Sequence, residues 1–163
     1  MRRDHPETVA IGLGMLSALL LLGALGFQYF ARLPPCEMCL WQRWPHLAAA
    51  ILGILGGWTV SRTTRLRQLA APLAFVTALL VAISGLIAVY HAGVEWHWWP
   101  GPSRCTGSAF KISGALDLNA PVVMCDHAAW RLFGLSLAGY NAIISLGAAA
   151  IGFVLIYRSG RAV

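Results

Sequence analysis

Cys36-Glu37-Met38-Cys39 places two thiols two residues apart, directly after Pro34-Pro35 and directly before Leu40-Trp41-Gln42-Arg43. Thiols at that spacing close a small, tense disulfide or supply half of a metal site. Cys39 lies where the chain turns back into an apolar segment. A thiolate at a helix N-terminus is favoured by the helix dipole, and a nearby arginine favours it further. Redox chemistry at a membrane surface is therefore the first expectation.

Cys105 and Cys125 complete a set of four cysteines, which allows three pairings. Adjacency favours Cys36 with Cys39, leaving Cys105 with Cys125. A two-residue spacer makes an exchangeable bond, whereas a longer bridge in a loop can be approached by another protein. Exchange between the pairs would pass oxidising equivalents through mixed disulfides. Taken alone, the longer bridge reads first as a staple. Zinc is disfavoured because structural sites pair two short spacings, and Cys105 and Cys125 do not. Haem attachment requires a histidine after the second cysteine, where Leu40 stands. No metal is expected.

These thiols must be positioned by apolar segments. The chain has 163 residues, 58% hydrophobic and 11% charged, against about 45–50% and about 25% in a soluble domain. Runs over 9–30, 44–60, 69–90 and 132–157 approach membrane-spanning length. The first is too long for a signal peptide's apolar region and lacks a small-residue cleavage site, so it reads as a retained helix. Pro34 and Pro35 extend the chain into Cys36. Pro45 is best accommodated in the first turn of its helix, which places that helix's start between Leu40 and Pro45. The expected fold is an all-α membrane protein: one domain, a four-transmembrane-helix bundle with cysteine-bearing loops over 31–43 and 91–131.

The net charge of +6 does not point to nucleic acid, because the basic residues sit between apolar runs. Four spans put both termini on the side of the 61–68 turn. That side holds Arg2, Arg3, Arg62, Arg65, Arg67, Arg158 and Arg161, which makes it the cytoplasm. All four cysteines fall on the opposite side, the oxidising one that disulfides require. Trp96, Trp98 and Trp99 fit an interfacial belt. Residues 100–121 are rich in Gly, Pro and Ser and are expected to be mobile. Phe110, Ile112, Leu116 and Leu118 are positioned to rest that loop on the membrane.

A dithiol pair that keeps making disulfides must dispose of two electrons. The chain has no dinucleotide fingerprint and no iron–sulfur spacing, so a lipid-soluble quinone is the available acceptor. Arg43, at the mouth of a span, either snorkels to the headgroups or stabilises a Cys39 thiolate or a reduced quinone oxygen. The four-residue spacing puts it on the side of Cys39 if the helix begins early enough. His91, ending the third run, reads as an interfacial residue or as a donor of a hydrogen bond or proton.

With these residues in view, the chain resembles the DsbB family of bacterial inner-membrane disulfide bond formation proteins. The resemblance rests on an ordered set: Pro35-Cys36-Glu37-Met38-Cys39, Gln42-Arg43, Tyr90-His91, Cys105, Cys125, then Trp130 and Gly134-Leu135-Ser136-Leu137. It implies a cycle in which a reduced periplasmic DsbA-like thioredoxin-fold oxidase attacks Cys105–Cys125, with Cys105 forming the mixed disulfide. Electrons then pass to Cys36–Cys39 and on to ubiquinone or menaquinone beside Cys39, with Arg43 and His91 as quinone-site residues. Such a partner is an oxidant near about −120 mV, and quinone reduction supplies the pull that protein disulfides alone lack. Three positions depart from the family pattern. Pro45 follows Arg43 closely, Leu137 replaces a methionine, and Tyr140 replaces a tryptophan, the last two at the expected quinone pocket or its edge. The rival readings are a vitamin-K-epoxide-reductase-like enzyme, which usually carries its quinone-proximal pair late in the chain, and a disulfide-stapled membrane scaffold without catalysis.

Overall fold

The computed structural model describes residues 5–106 and 123–161. The expectations for Arg2 and Arg3, for Phe110, Ile112, Leu116 and Leu118, and for most of 100–121 lie outside the described residues.

Helix α1, Pro6–Tyr29, opens on Pro6, whose fixed φ suits a first turn. Helix α2, Glu37–Ile51, passes through a π-helical turn, Leu52–Gly56, into the short α3, Gly57–Arg62. A 3-10 turn, Thr64–Leu69, leads to α4, Ala70–Glu95. A small antiparallel hairpin, β1 Arg131–Leu132 and β2 Leu135–Ser136, precedes α5, Leu137–Arg161. Phe133 and Gly134 turn the hairpin with φ of 48° and 83°, the left-handed values that a two-residue hairpin loop requires. Helix α1, the run Thr64–Glu95 and helix α5 are each long and apolar enough to cross a membrane.

The burial pattern is that of a bundle in lipid. The interior is built from small residues: Ala10, Gly14 and Ser17 of α1, Ala74, Ala78, Ser84 and Gly85 of α4, Ala142, Ser145 and Ala149 of α5. Leucines and isoleucines face outward, as at Leu19 (64% exposed) and Ile151 (62%). Water would penalise that arrangement, whereas lipid tails are as apolar as leucine and leave close backbone packing to hold the helices together. Among the described glycines, the tightest backbone-to-backbone approach joins α1 to the π-helical turn. A Cβ built on Gly53 would lie 2.5 Å from the Ala10 carbonyl oxygen and 2.8 Å from Gly14 Cα. At the arginine-bearing end, Arg62 lies over Trp58 at 5.6 Å and Arg161 over Tyr157 at 4.5 Å.

Three expected boundaries shift. Helix α2 begins at Glu37 rather than between Leu40 and Pro45, because Cys36 caps it: its Sγ accepts the Cys39 main-chain N–H at 3.2 Å. Pro45 consequently lies inside the helix and not in its first turn. Helix α4 continues past Tyr90 to Glu95, so His91 is an interior residue of the helix. Helix α5 starts at Leu137 rather than 132, since the hairpin claims 131–136 and the Ser136 hydroxyl receives the Gly139 N–H at 3.1 Å.

Candidate functional site

The extended Pro34-Pro35 segment delivers Cys36 to the cap position of α2, and one turn of helix brings Cys39 back over it. The two sulfurs stand 2.7 Å apart as thiols, with Cys36 donating to Cys39. That hydrogen bond, with burial adding to it, pushes the Cys36 thiol up. The same bond, received by Cys39, holds the Cys39 thiol below its ordinary value against the opposing effect of burial. Arg43 adds a smaller effect in the same downward direction. When the pair loses one proton, these opposed shifts leave the remaining proton on Cys36 and the negative charge on Cys39.

Cys105 and Cys125 are joined as a disulfide, and the Cys125 N–H bonds the Cys105 carbonyl at 2.6 Å. Both cysteines are buried in one cluster with Cys36, Met38 and Val94, and Cys39 packs against it. The two pairs, far apart in the chain, therefore share a packed neighbourhood.

His91 is 2% exposed, with Nε2 at 3.5 Å from Cys36 Sγ and 3.6 Å from Glu95 Oε1. Its Nδ1 meets the Gln42 side-chain amide at 2.9 Å. Arg43 Nη1 donates to Gln28 Oε1 at 2.6 Å, while its buried Nε has no partner among the described residues. Beside these groups lies a cavity of about 240 Å³. Leu20, Ala24 and Phe27 of α1 form part of its apolar wall, and Cys39, Gln42, Arg43, His46, His91 and Asn141 supply its polar face. Leu137 and Tyr140 line it as well.

All six site residues singled out from sequence are placed near this end of the bundle: Cys36, Cys39 and His91 touch, Cys105 and Cys125 pack on them, and Arg43 opens on the cavity. Among the described residues, Cys36, Cys39 and His91 form the one group of three with metal-capable atoms, all within 4.8 Å of one another. That set differs from the four-cysteine zinc site weighed on spacing.

Gln42, His46, Ser84, Glu95 and Asn141 were not singled out for chemistry from the sequence. A signal existed for His46, Ser84 and Asn141, because a polar side chain inside a membrane-length apolar run is expensive and marks a pathway or site, whereas Gln42 and Glu95 fall just outside the runs. Gln42 and His46 stand four apart on α2, Ser84 and Glu95 lie on α4, and Asn141 lies on α5.

Apolar helices around a buried dithiol pair, with a disulfide packed against it, define a helical membrane protein equipped for thiol–disulfide chemistry. Comparison with known proteins narrows the class. The model of the family described as disulfide bond formation protein DsbB matches residues 6–155, and the chain belongs to that family. A disulfide bond formation protein B of a Polaromonas species is 26% identical, covering 96% of this chain and 94% of its own length. One from Pasteurella multocida is 29% identical over 78% of this chain and 73% of its own. An uncharacterized protein of Rickettsia prowazekii is 21% identical over 96% and 92%. No solved structure matches the chain. Family membership makes the chain a disulfide-forming membrane oxidoreductase.

Proposed function

We propose that this protein is a four-span bundle that oxidises a soluble thioredoxin-fold thiol oxidase of the DsbA kind. Electrons leave through Cys105–Cys125 and Cys36–Cys39 to a membrane quinone, ubiquinone or menaquinone. The carrying observation is the single buried cluster that holds Cys36, Cys105 and Cys125, with Cys39 packed on it and also lining the cavity. One end of the relay is the loop pair Cys105–Cys125 and the other meets an apolar chamber.

The helical run from Glu37 to Arg62 provides the second span over 44–60, and the cysteine loops face the periplasm with both termini cytoplasmic. Arg62, Arg65, Arg67, Arg158 and Arg161 at the far end support that orientation through the inside preference of basic residues.

The donor set suits a quinone. Arg43 Nε is buried and free of any partner among the described residues, and a guanidinium beside an apolar chamber is suited to a carbonyl or quinol oxygen. A bound quinone supplies an acceptor for the two electrons and two protons released when a dithiol becomes a disulfide. The chain's own part is to hold the charge on Cys39 and to exclude water around it. In the oxidised pair Cys36 is the sulfur that a thiolate of the second pair attacks, and Cys39, the lower of the two thiols, is the leaving sulfur. Cys105 is proposed as the sulfur attacked by the soluble partner.

The test is reconstitution in lipid with a quinone and a reduced thioredoxin-fold oxidase, following quinone absorbance and free thiols together. One quinone should be consumed per two thiols lost, and Cys39→Ser should abolish both signals. Cys105→Ala should block exchange with the partner while leaving Cys36–Cys39 open to oxidation by quinone. Normal partner oxidation without Cys105 would overturn the order of the relay.

A further inference from the structure

A run of buried polar side chains crosses the bundle behind the thiols, and its hydrogen bonds can be read in one direction only. The Met38 carbonyl oxygen can only accept, so Gln42, one turn on, faces it with its amide nitrogen at 3.1 Å. That same nitrogen lies 2.9 Å from His91 Nδ1. Nδ1 is therefore an acceptor, and the proton of the neutral ring is on Nε2.

The far side of the amide is held just as firmly. Gln42 Oε1 receives Asn141 Nδ2 at 2.9 Å. Asn141 Nδ2 also reaches Ser84 Oγ at 3.3 Å, whose hydroxyl is already given to the Gln42 main-chain oxygen at 2.9 Å. Asn141 Oδ1 then accepts from Ser145 at 2.7 Å and from His46 Nε2 at 3.0 Å. Reversing Gln42 would set acceptor against acceptor at Met38 and donor against donor at Asn141, reversing Asn141 would set acceptor against acceptor at Gln42, and the penalty in a dry interior holds the whole chain in register.

His91 Nε2–H consequently faces Cys36 Sγ at 3.5 Å and Glu95 Oε1 at 3.6 Å, sharing its proton among the acceptors on that side. The Cys125 main chain also lies against the ring, and Arg131 stands beyond Glu95. We propose that Gln42, braced by Asn141 and Ser84, is a positioning residue that keeps the His91 proton on Nε2 against the Cys36 sulfur. The donor steadies the Cys36 sulfur when it gives up the proton it shares with Cys39, whereas the other tautomer would turn a lone pair on that sulfur. The inference rests on reading Cys36 and Cys39 as the redox pair.

The experiment uses the full chain in lipid nanodiscs, reduced, with nitrogen-15 histidine. The His91 resonances should show Nε2 protonated and Nδ1 bare. In a Cys39→Ser background, iodoacetamide alkylation of Cys36 below its titration midpoint should fall about ten-fold on Gln42→Met, the loss of one hydrogen bond to a charged group. That loss should vanish when His91 is already Gln. A native His91 protonated on Nδ1 would overturn the proposal, and so would an equal effect of Gln42→Met with and without His91. Failure of the functional reading registers elsewhere, as an unaltered chain that reduces no quinone, and neither readout here depends on that reaction.

Discussion

Gly53→Ala tests whether the bundle, and with it the cavity wall, depends on backbone contact between α1 and the π-helical turn. The new Cβ would lie 2.5 Å from the Ala10 carbonyl oxygen, 2.8 Å from Gly14 Cα and 3.0 Å from Gly14 N. Ordinary contact begins near 3.4 Å, so α1 must retreat by most of an ångström, and no flexible side chain is available to yield instead. Gly to Ala in an open helical position gains up to about 1 kcal/mol of propensity. Overpacking a tight contact costs about 1–3 kcal/mol. The comparison is therefore with Gly12→Ala in α1 and Gly147→Ala in α5, where a Cβ meets nothing within 4 Å. Gly53→Ala should be less stable than either control by about 1–3 kcal/mol, roughly a five-fold to 150-fold change in the folded ratio. Unfolding in mixed micelles by increasing the denaturing-detergent fraction, read by tryptophan fluorescence, makes the measurement. Quinone retention should drop in parallel, because a shifted α1 carries Leu20, Ala24 and Phe27 of the cavity with it. If Gly53→Ala is as stable as the controls, the close-packing argument is refuted.

Cys36→Ala removes the hydrogen bond that depresses the Cys39 thiol and should move its titration upward. A lowered thiol stays ionised as pH falls below its ordinary value, so native Cys39 should alkylate at neutral pH and the variant much more slowly there, the two converging in alkali. Arg43→Met should reduce the quinone co-purifying with the protein, measured by extraction, while leaving the Cys105–Cys125 bridge intact by mass. Gln28→Ala, which frees Arg43 Nη1 from its 2.6 Å partner, should lower quinone retention less than Arg43→Met does. Asn141→Leu strips donors from Gln42 and Ser84 and should cost about 1–3 kcal/mol in the micelle assay, the penalty for unpaired buried groups.

The residue pattern by itself pointed to the solvent and to the thiol chemistry. Apolar runs of spanning length with arginines between them leave few options besides a membrane bundle, and two thiols two residues apart at a helix start carry their chemistry locally. Cys36 and Cys39 stood out because of their spacing, whereas Arg43 and His91 each kept a bland interfacial reading and were singled out through the family resemblance. The capped start at Glu37 was less so: it depends on a sulfur accepting a main-chain N–H, which moves Pro45 into the helix interior. Gln42, His46, Ser84 and Asn141 were not legible as a unit, because one polar residue in an apolar run does not reveal which residues of other helices it will meet. Only the packing of α2 on α1 and α4, with α5 packed on α4, decided that, since the cost of an unpaired donor in a dry interior selects partners by position in space and not by distance along the chain.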